Sequence, residues 1–234
     1  MFFDLIKNFP LQILIISILS YLIGSISFPI IVTKFFKKNQ DIRDLGSGNA
    51  GFTNVLRSVG VLPAVITFIG DFFKCFAAIS LSRLIFSYFS CDAIPKDFIL
   101  LYVSYISGFL CIIGHIYPCF FKFRGGKSII ASFSMMMATH WQVGLIILGI
   151  FLIVLLLFKI ISLASITCAI LYPTVNIVSM KLLIFNQVND YFSFHYIIFT
   201  TIISILVMAI VVYKHSPNIK RLLNGTEKKI TTKK

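Results

Sequence analysis

Acidic and charged residues are scarce in this sequence. Of 234 residues only 12% are charged, with 8 Asp and Glu against 21 Lys and Arg. No carboxylate or histidine cluster has metal-ligand spacing, so neither a metal nor an organic cofactor is expected. Five cysteines (Cys75, Cys91, Cys111, Cys119, Cys168) contain no CxxC pair and mostly lie in apolar segments, which favours buried thiols over a disulfide framework. No GxSxG elbow is present. The residues five after His115, His140, His195 and His215 are Phe120, Leu145, Thr200 and Lys220, so no His-x4-Asp pair supplies a general base. Internal repeats are also absent, as is any polar stretch large enough for a separate soluble domain.

What is present is apolar length. The chain is 58% hydrophobic with a mean hydropathy of +0.96, far above soluble base rates. Apolar runs recur at 9–33, 61–85, 97–117, 128–140, 142–158, 161–184 and 194–213, and these predict an all-α integral membrane protein with about seven spans, 1–234 forming a single membrane-embedded domain. The run at 128–140 is short for a crossing and is also compatible with a tilted or re-entrant helix inside the bundle. The first run is too long for a signal-peptide core and lacks a basic stretch before it, so it is expected to remain as a span.

The net charge of +13 would suggest nucleic acid on a soluble chain, but here the basic residues crowd into loops. An outside N-terminus places 16 of the 21 Lys and Arg in the cytoplasm, leaving Lys7, Arg83, Lys96 and Lys181 outside and Lys74 within a span. The C-terminus and three polar segments are then cytoplasmic.

The first segment holds Gly46-Ser47-Gly48-Asn49-Ala50-Gly51. Its GxGxxG spacing follows a membrane span rather than a strand, which excludes a dinucleotide fold. The physics that survives is that of an anion site, with glycine amides ahead of a short helix. Asn49 is a candidate cap. Phe52, Val55, Leu56 and Val59 recur on one face, Thr53, Asn54 and Arg57 lie on another, and Gly60 ends the helix. An ordinary glycine-rich turn with an interfacial helix accounts for the same spacing. The second segment carries Gly125-Gly126-Lys127-Ser128, where Phe121 replaces the first glycine of a P-loop; a local phosphate site with Lys127 as a point charge remains, alongside plain positive-inside charge. The third contains His215, Asn218, Arg221 and Glu227. Neutral and acidic groups there add nothing to attraction for anionic lipid, whereas the lysines from Lys228 onward fit a lipid-facing patch. Within the second span Asp71 and Lys74 share a face, and mutual pairing is favoured over catalysis.

Together GSGNAGFTNVLRSVG, GHIYPCFFKFRGGK and HSPNIKRLLNGTE resemble the three signature segments of the bacterial acyl-phosphate glycerol-3-phosphate acyltransferases, the PlsY type. GSIS near Gly24 and GDFFK from Gly70 extend the resemblance over nearly the whole chain. Ser27, Cys75 and Ser128 depart from it, standing where proline, glycine and glycine are common.

The resemblance implies a multi-pass enzyme of the bacterial inner membrane, with a cytoplasmic active site and a monomeric state. It would transfer a fatty acyl group from acyl phosphate to glycerol 3-phosphate, with membrane lipid and no nucleic acid as its surroundings. By the same resemblance Ser47, Arg57, Lys127, Asn218 and Glu227 would be catalytic. Gly46, Gly48, Asn49, Gly51, Thr53, Asn54, Gly125, Gly126, His215 and Arg221 would bind substrate. The amides of Gly46 to Asn49 and the Ser47 hydroxyl would hold the donor phosphate. Arg57 and Lys127, assisted by His215 and Asn218, would hold the acceptor phosphate, and Glu227 would tie the tail to the loops. A transporter of phosphorylated metabolites is the competing reading, and a lipid-binding scaffold is a third.

Overall fold

The computed structural model describes residues 2–182 and 191–230, and the described residues are helical apart from turns and loops. Six of these helices or helix pairs are long and apolar enough to cross a membrane: Pro10–Phe36, Val61–Ser87, Lys96–Phe121, Trp141–Phe158, Ile161–Met180 and Ser193–Lys214. They coincide with six of the seven predicted runs, although 183–184 of the sixth run and the end of the basic tail lie outside the described residues. The remaining run forms α7 (Ile129–Thr139). At a rise of about 1.5 Å per residue it is roughly half the length needed for a hydrocarbon core. Large apolar side chains on the long helices face outward, Leu156 at 76% and Leu157 at 71% exposure among them. Such a surface is stable only against lipid.

The chain divides into two compact units, one ending at Thr139 and the other beginning at His140. In the first, α1 (Phe2–Asn8) leads into α2 (Pro10–Gly24) and α3 (Phe28–Phe36), which together form one broken span. The break falls at Ser25-Ile26-Ser27, with Pro29 in the first turn of α3, where a missing N–H costs nothing. A loop then leads to α4 (Phe52–Ser58), α5 (Val61–Ser87) and α6 (Lys96–Ile116).

Glycines bring α2 and α6 together. A Cβ on Gly24 would run into the Cys111 carbonyl, and one on Gly114 into the Tyr21 carbonyl. Small residues that let backbones meet are what hold helices together where lipid offers no hydrophobic contrast. Helix α7 packs on α5, with Ser134 donating to the Phe72 carbonyl at 2.6 Å, and on α6, where Met135 covers Gly108.

The second unit holds α8 (Trp141–Phe158), α9 (Ile161–Met180), α10 (Tyr191–Lys214) and α11 (Ser216–Leu223). Asn176 of α9 donates to Thr200 Oγ1 of α10 at 3.1 Å, burying a polar link in an apolar pair.

Candidate active site

In the first unit the glycine loop is built around Asn54. This side chain is buried, at 3% exposure. Its Nδ2 donates to the carbonyls of Ile42, Leu45 and Asn49 at 3.1, 2.9 and 3.1 Å, and its Oδ1 accepts from the Ser47 amide at 3.0 Å. Asn54 therefore folds the loop from beneath, whereas the sequence reading set it beside Thr53 and Arg57 as a ligand. Gly46 and Gly48 take positive φ of 57° and 70°, which glycine adopts without strain. A Cβ on Gly46 would also collide with Asn54 Oδ1.

Two of the four amides expected to face an anion are used by the loop itself. Ser47 N–H goes to Asn54 and Gly48 N–H to the Leu45 carbonyl at 3.0 Å. The Gly46 and Asn49 amides make no hydrogen bond among the described residues, and the Ser47 side chain is exposed. Asn49 is not the helix cap. Gly51 occupies that position, its carbonyl accepting from Asn54 and Val55 amides at 3.1 Å each. With seven residues, α4 brings less dipole than a long helix, so the charge facing an anion must come from side chains.

The apolar face of α4 was legible from its spacing. Val55 is fully buried with Ile30, Ile42, Ala50 and Ala64, and Phe52, Leu56 and Val59 pack against that cluster. The opposite face leaves Arg57 exposed, without an ion pair among the described residues, and Thr53 half-buried. Gly60, at φ 137°, ends α4 through an amide bond to the Val55 carbonyl at 3.1 Å.

The second segment is joined to the first by Arg43. Its guanidinium pairs with Asp41 at 2.7 Å and donates to the carbonyls of Phe121 at 2.7 Å and Arg124 at 3.2 Å. Partial burial would raise the Asp41 pKa, but hydrogen bonds from Arg43 outweigh it and hold that carboxyl below its ordinary value; the same bonds raise Arg43. Phe121 also packs on the α4 cluster. Past this anchor, the Gly125 and Gly126 amides return to the Ile116 and His115 carbonyls at 3.1 and 3.2 Å. Gly126 is buried so tightly that a Cβ would strike both the Ala50 carbonyl and His115 Nε2. The two loops thus meet at Gly126, immediately before half-buried Lys127.

In the second unit Glu227 collects the residues of the third segment. Its Oε1 accepts from Asn218 Nδ2 and from Ser162 Oγ, both at 2.7 Å, and its Oε2 from Arg221 Nε at 2.6 Å. Partial burial pushes the carboxyl up, yet bonds from Ser162, Arg221 and Asn218 prevail and hold it below its ordinary value. Ser162 lies in the first turn of α9, where the helix dipole also favours an anion. Nothing in the sequence singles out Ser162, because its partner is 65 positions away. His215 is buried and bonds through Nδ1 to the Val211 carbonyl at 2.8 Å. A carbonyl only accepts, so Nδ1 carries the proton. The tail is held beyond this point by Ile230 N–H on the Lys159 carbonyl at 2.7 Å.

Comparison with known proteins bears directly on this arrangement. The family model for glycerol-3-phosphate acyltransferase matches residues 14–225. A glycerol-3-phosphate acyltransferase of Prochlorococcus marinus (strain MIT 9312) is 38% identical over 94% of this chain and 98% of its own length. Another from Clostridioides difficile (strain 630) is 34% identical, over 94% and 97%. The crystal structure of PlsY (YgiH), an integral membrane glycerol 3-phosphate acyltransferase in its glycerol 3-phosphate form, aligns with a TM-score of 0.76 and 31% identity over 94% and 96% of the two chains. The family match starts inside the first membrane helix and covers the first two polar segments and the third as far as Gly225, so the chain belongs to the glycerol-3-phosphate acyltransferase family.

Proposed function

We propose that this acyltransferase takes its acyl group from acyl phosphate and places it on the 1-hydroxyl of glycerol 3-phosphate. The products are lysophosphatidic acid and phosphate, and the step supplies bacterial phospholipid synthesis. In this reading the enzyme sits in the bacterial inner membrane as a monomer, with its N-terminus outside and its C-terminus and active site on the cytoplasmic side, α7 counting as the seventh membrane segment. The whole chain serves as one acyltransferase domain.

The observation that carries the reading is the junction at Gly126. Unused amides and the exposed Arg57 on one loop, and Lys127 on the other, are held together by Arg43 in a membrane protein of this family. Two phosphate-bearing substrates need this kind of cationic, amide-rich surface. Only the long acyl chain needs the lipid, where each buried methylene contributes about 0.8 kcal/mol.

Chemically, the glycerol 1-hydroxyl oxygen attacks the donor carbonyl carbon and the new C–O bond forms as the bond to the phosphate oxygen breaks. The hydroxyl proton passes to the departing phosphate, which leaves as hydrogen phosphate. An acyl phosphate is a mixed anhydride, so no covalent acyl-enzyme and no histidine–carboxylate base is required, and orientation with electrostatic stabilisation suffices. We assign the Gly46 and Asn49 amides and the Ser47 hydroxyl to the donor phosphate, and Arg57 and Lys127 to the acceptor phosphate. Thr53, on the same face of α4 as Arg57, is assigned to substrate; Gly48, Gly51 and Asn54 shape the first loop, and Gly125 and Gly126 the second. In the second unit, His215 and Asn218 are the further candidate phosphate-binding groups, while Glu227 orders Asn218 and Arg221.

The test is turnover of the purified protein with palmitoyl phosphate and glycerol 3-phosphate, with palmitoyl-CoA in parallel. Acceptor-dependent phosphate release and lysophosphatidic acid are expected from acyl phosphate alone; transfer from the thioester alone would overturn the donor assignment. Folded protein inactive with both donors would turn attention to transport of the phosphorylated acceptor.

A further inference from the structure

The family chemistry above makes no use of three buried polar groups beneath the loop junction. Lys74 Nζ lies 2.8 Å from Asp71 Oδ1, 2.8 Å from the Ile26 carbonyl and 3.0 Å from His115 Nδ1. The side chains of Asp71, Lys74 and His115 are 1%, 2% and 5% exposed. Among the described residues Asp71 Oδ1 makes no well-directed hydrogen bond, so its attraction to Lys74 is chiefly ionic; His115 Nδ1 lies 3.5 Å from the same oxygen.

Each contact does something specific. The Ile26 carbonyl sits in the break between α2 and α3, where helical acceptors lose their partners, and the ammonium satisfies it. An ammonium has only donors, so His115 must accept at Nδ1, which places the ring proton on Nε2. That nitrogen faces Gly126 at the point where the Ala50 carbonyl also closes in. The His115 main chain grips the same residue through the Gly126 amide.

We propose that Asp71, Lys74 and His115 form a buried positioning network for acyl transfer. Lys74 fixes the His115 tautomer and ring, and His115 holds Gly126 against the glycine loop so that Lys127 is presented to the acceptor phosphate. These are positioning residues; none of them touches substrate. The inference rests on the assignment of Lys127 to glycerol 3-phosphate.

The variant to make is His115→Asn, whose amide can keep a partner for Lys74 while removing the group that faces Gly126. In folded protein, KM for glycerol 3-phosphate should rise at least about tenfold while KM for palmitoyl phosphate changes less than about twofold. The same loss should appear in calorimetric binding of glycerol 3-phosphate, which needs no donor, and should vanish in a Lys127→Gln background. Equal effects on both KM values, or a full additional loss beside Lys127→Gln, would overturn the proposal, because a general packing defect would act independently of Lys127. If His115→Asn does not fold, site-assigned ¹⁵N spectroscopy of the wild type decides. A ring protonated at Nε2 with Nδ1 accepting is expected, and a proton on Nδ1 would overturn it. Inactivity of the wild type with acyl phosphate would refute the proposed donor, yet leave the binding and spectroscopic results to judge the network.

Discussion

Replacing Asn54 with aspartate exchanges one NH2 for an oxygen, at almost no cost in shape. The change removes the donor that serves three loop carbonyls, Ile42, Leu45 and Asn49, and sets an anion among them. An amide nitrogen has two protons, so at least two hydrogen bonds are lost, at about 1 kcal/mol each, before any charge is counted. The alternative is that the introduced carboxyl stays protonated. Holding a group of ordinary pKa about 3.9 neutral at pH 7 costs roughly 3 pK units, or about 4 kcal/mol. Buried charge makes the ionised state the worse of the two, so the protonated route applies and the expected loss at pH 7 is about 4 kcal/mol, taken first as opening of the glycine loop.

The sign with pH follows directly. Burial among carbonyls raises the folded-state pKa of the introduced group above its unfolded value. The penalty is therefore small near the unfolded pKa and grows as pH rises. Between pH 7 and pH 5 it should fall by up to about 2.7 kcal/mol. Thermal unfolding in detergent and kcat/KM should both be measured at the two pH values, each relative to wild type at the same pH. Turnover should drop at least about tenfold at pH 7 and recover partly at pH 5. Wild-type stability and activity at pH 7 would refute the account of Asn54 as the support of this loop.

Arg57→Ala removes an exposed cation with no structural partner among the described residues; the fold should persist while turnover falls at least about tenfold, and near-normal activity would sink its assignment to phosphate. Glu227→Gln should flatten the acid limb of stability. Its folded pKa is lowered, so the native bonds contribute fully above the unfolded carboxylate pKa and fade as pH drops through the folded one, which unfolding scans at descending pH would register. Ser128→Gly should stabilise by about 1 kcal/mol. Ser128 holds φ at 64° with a buried hydroxyl that lacks a partner among the described residues, and relief of both exceeds the added chain entropy of glycine, as the midpoint of thermal unfolding would show.

Ser128 also shows how departures from a motif acquire meaning. The resemblance leads one to expect glycine at this position, and the left-handed backbone accounts for that expectation. Similarly, Gly46 and Gly126 are glycines for different reasons. One needs its φ, while the other is squeezed between two loops and a histidine ring.

What the sequence determined by itself was whatever depends on neighbours along the chain. Span positions follow from the length of apolar runs against a hydrocarbon core of fixed thickness. The buried face of α4 follows from a 3.6-residue period, and the shortness of the run at 128–140 already set α7 apart. Tertiary structure alone decided which polar groups meet. Arg43 reaches the Phe121 carbonyl 78 positions away, Lys74 reaches His115 across 41, and Glu227 finds Ser162 across 65. For Asn54 the helical position shows a polar face but not the loop folded over it. Hydrogen bonds act over about 3 Å and have no period, so their partners are chosen only when helix packing has brought distant segments within reach.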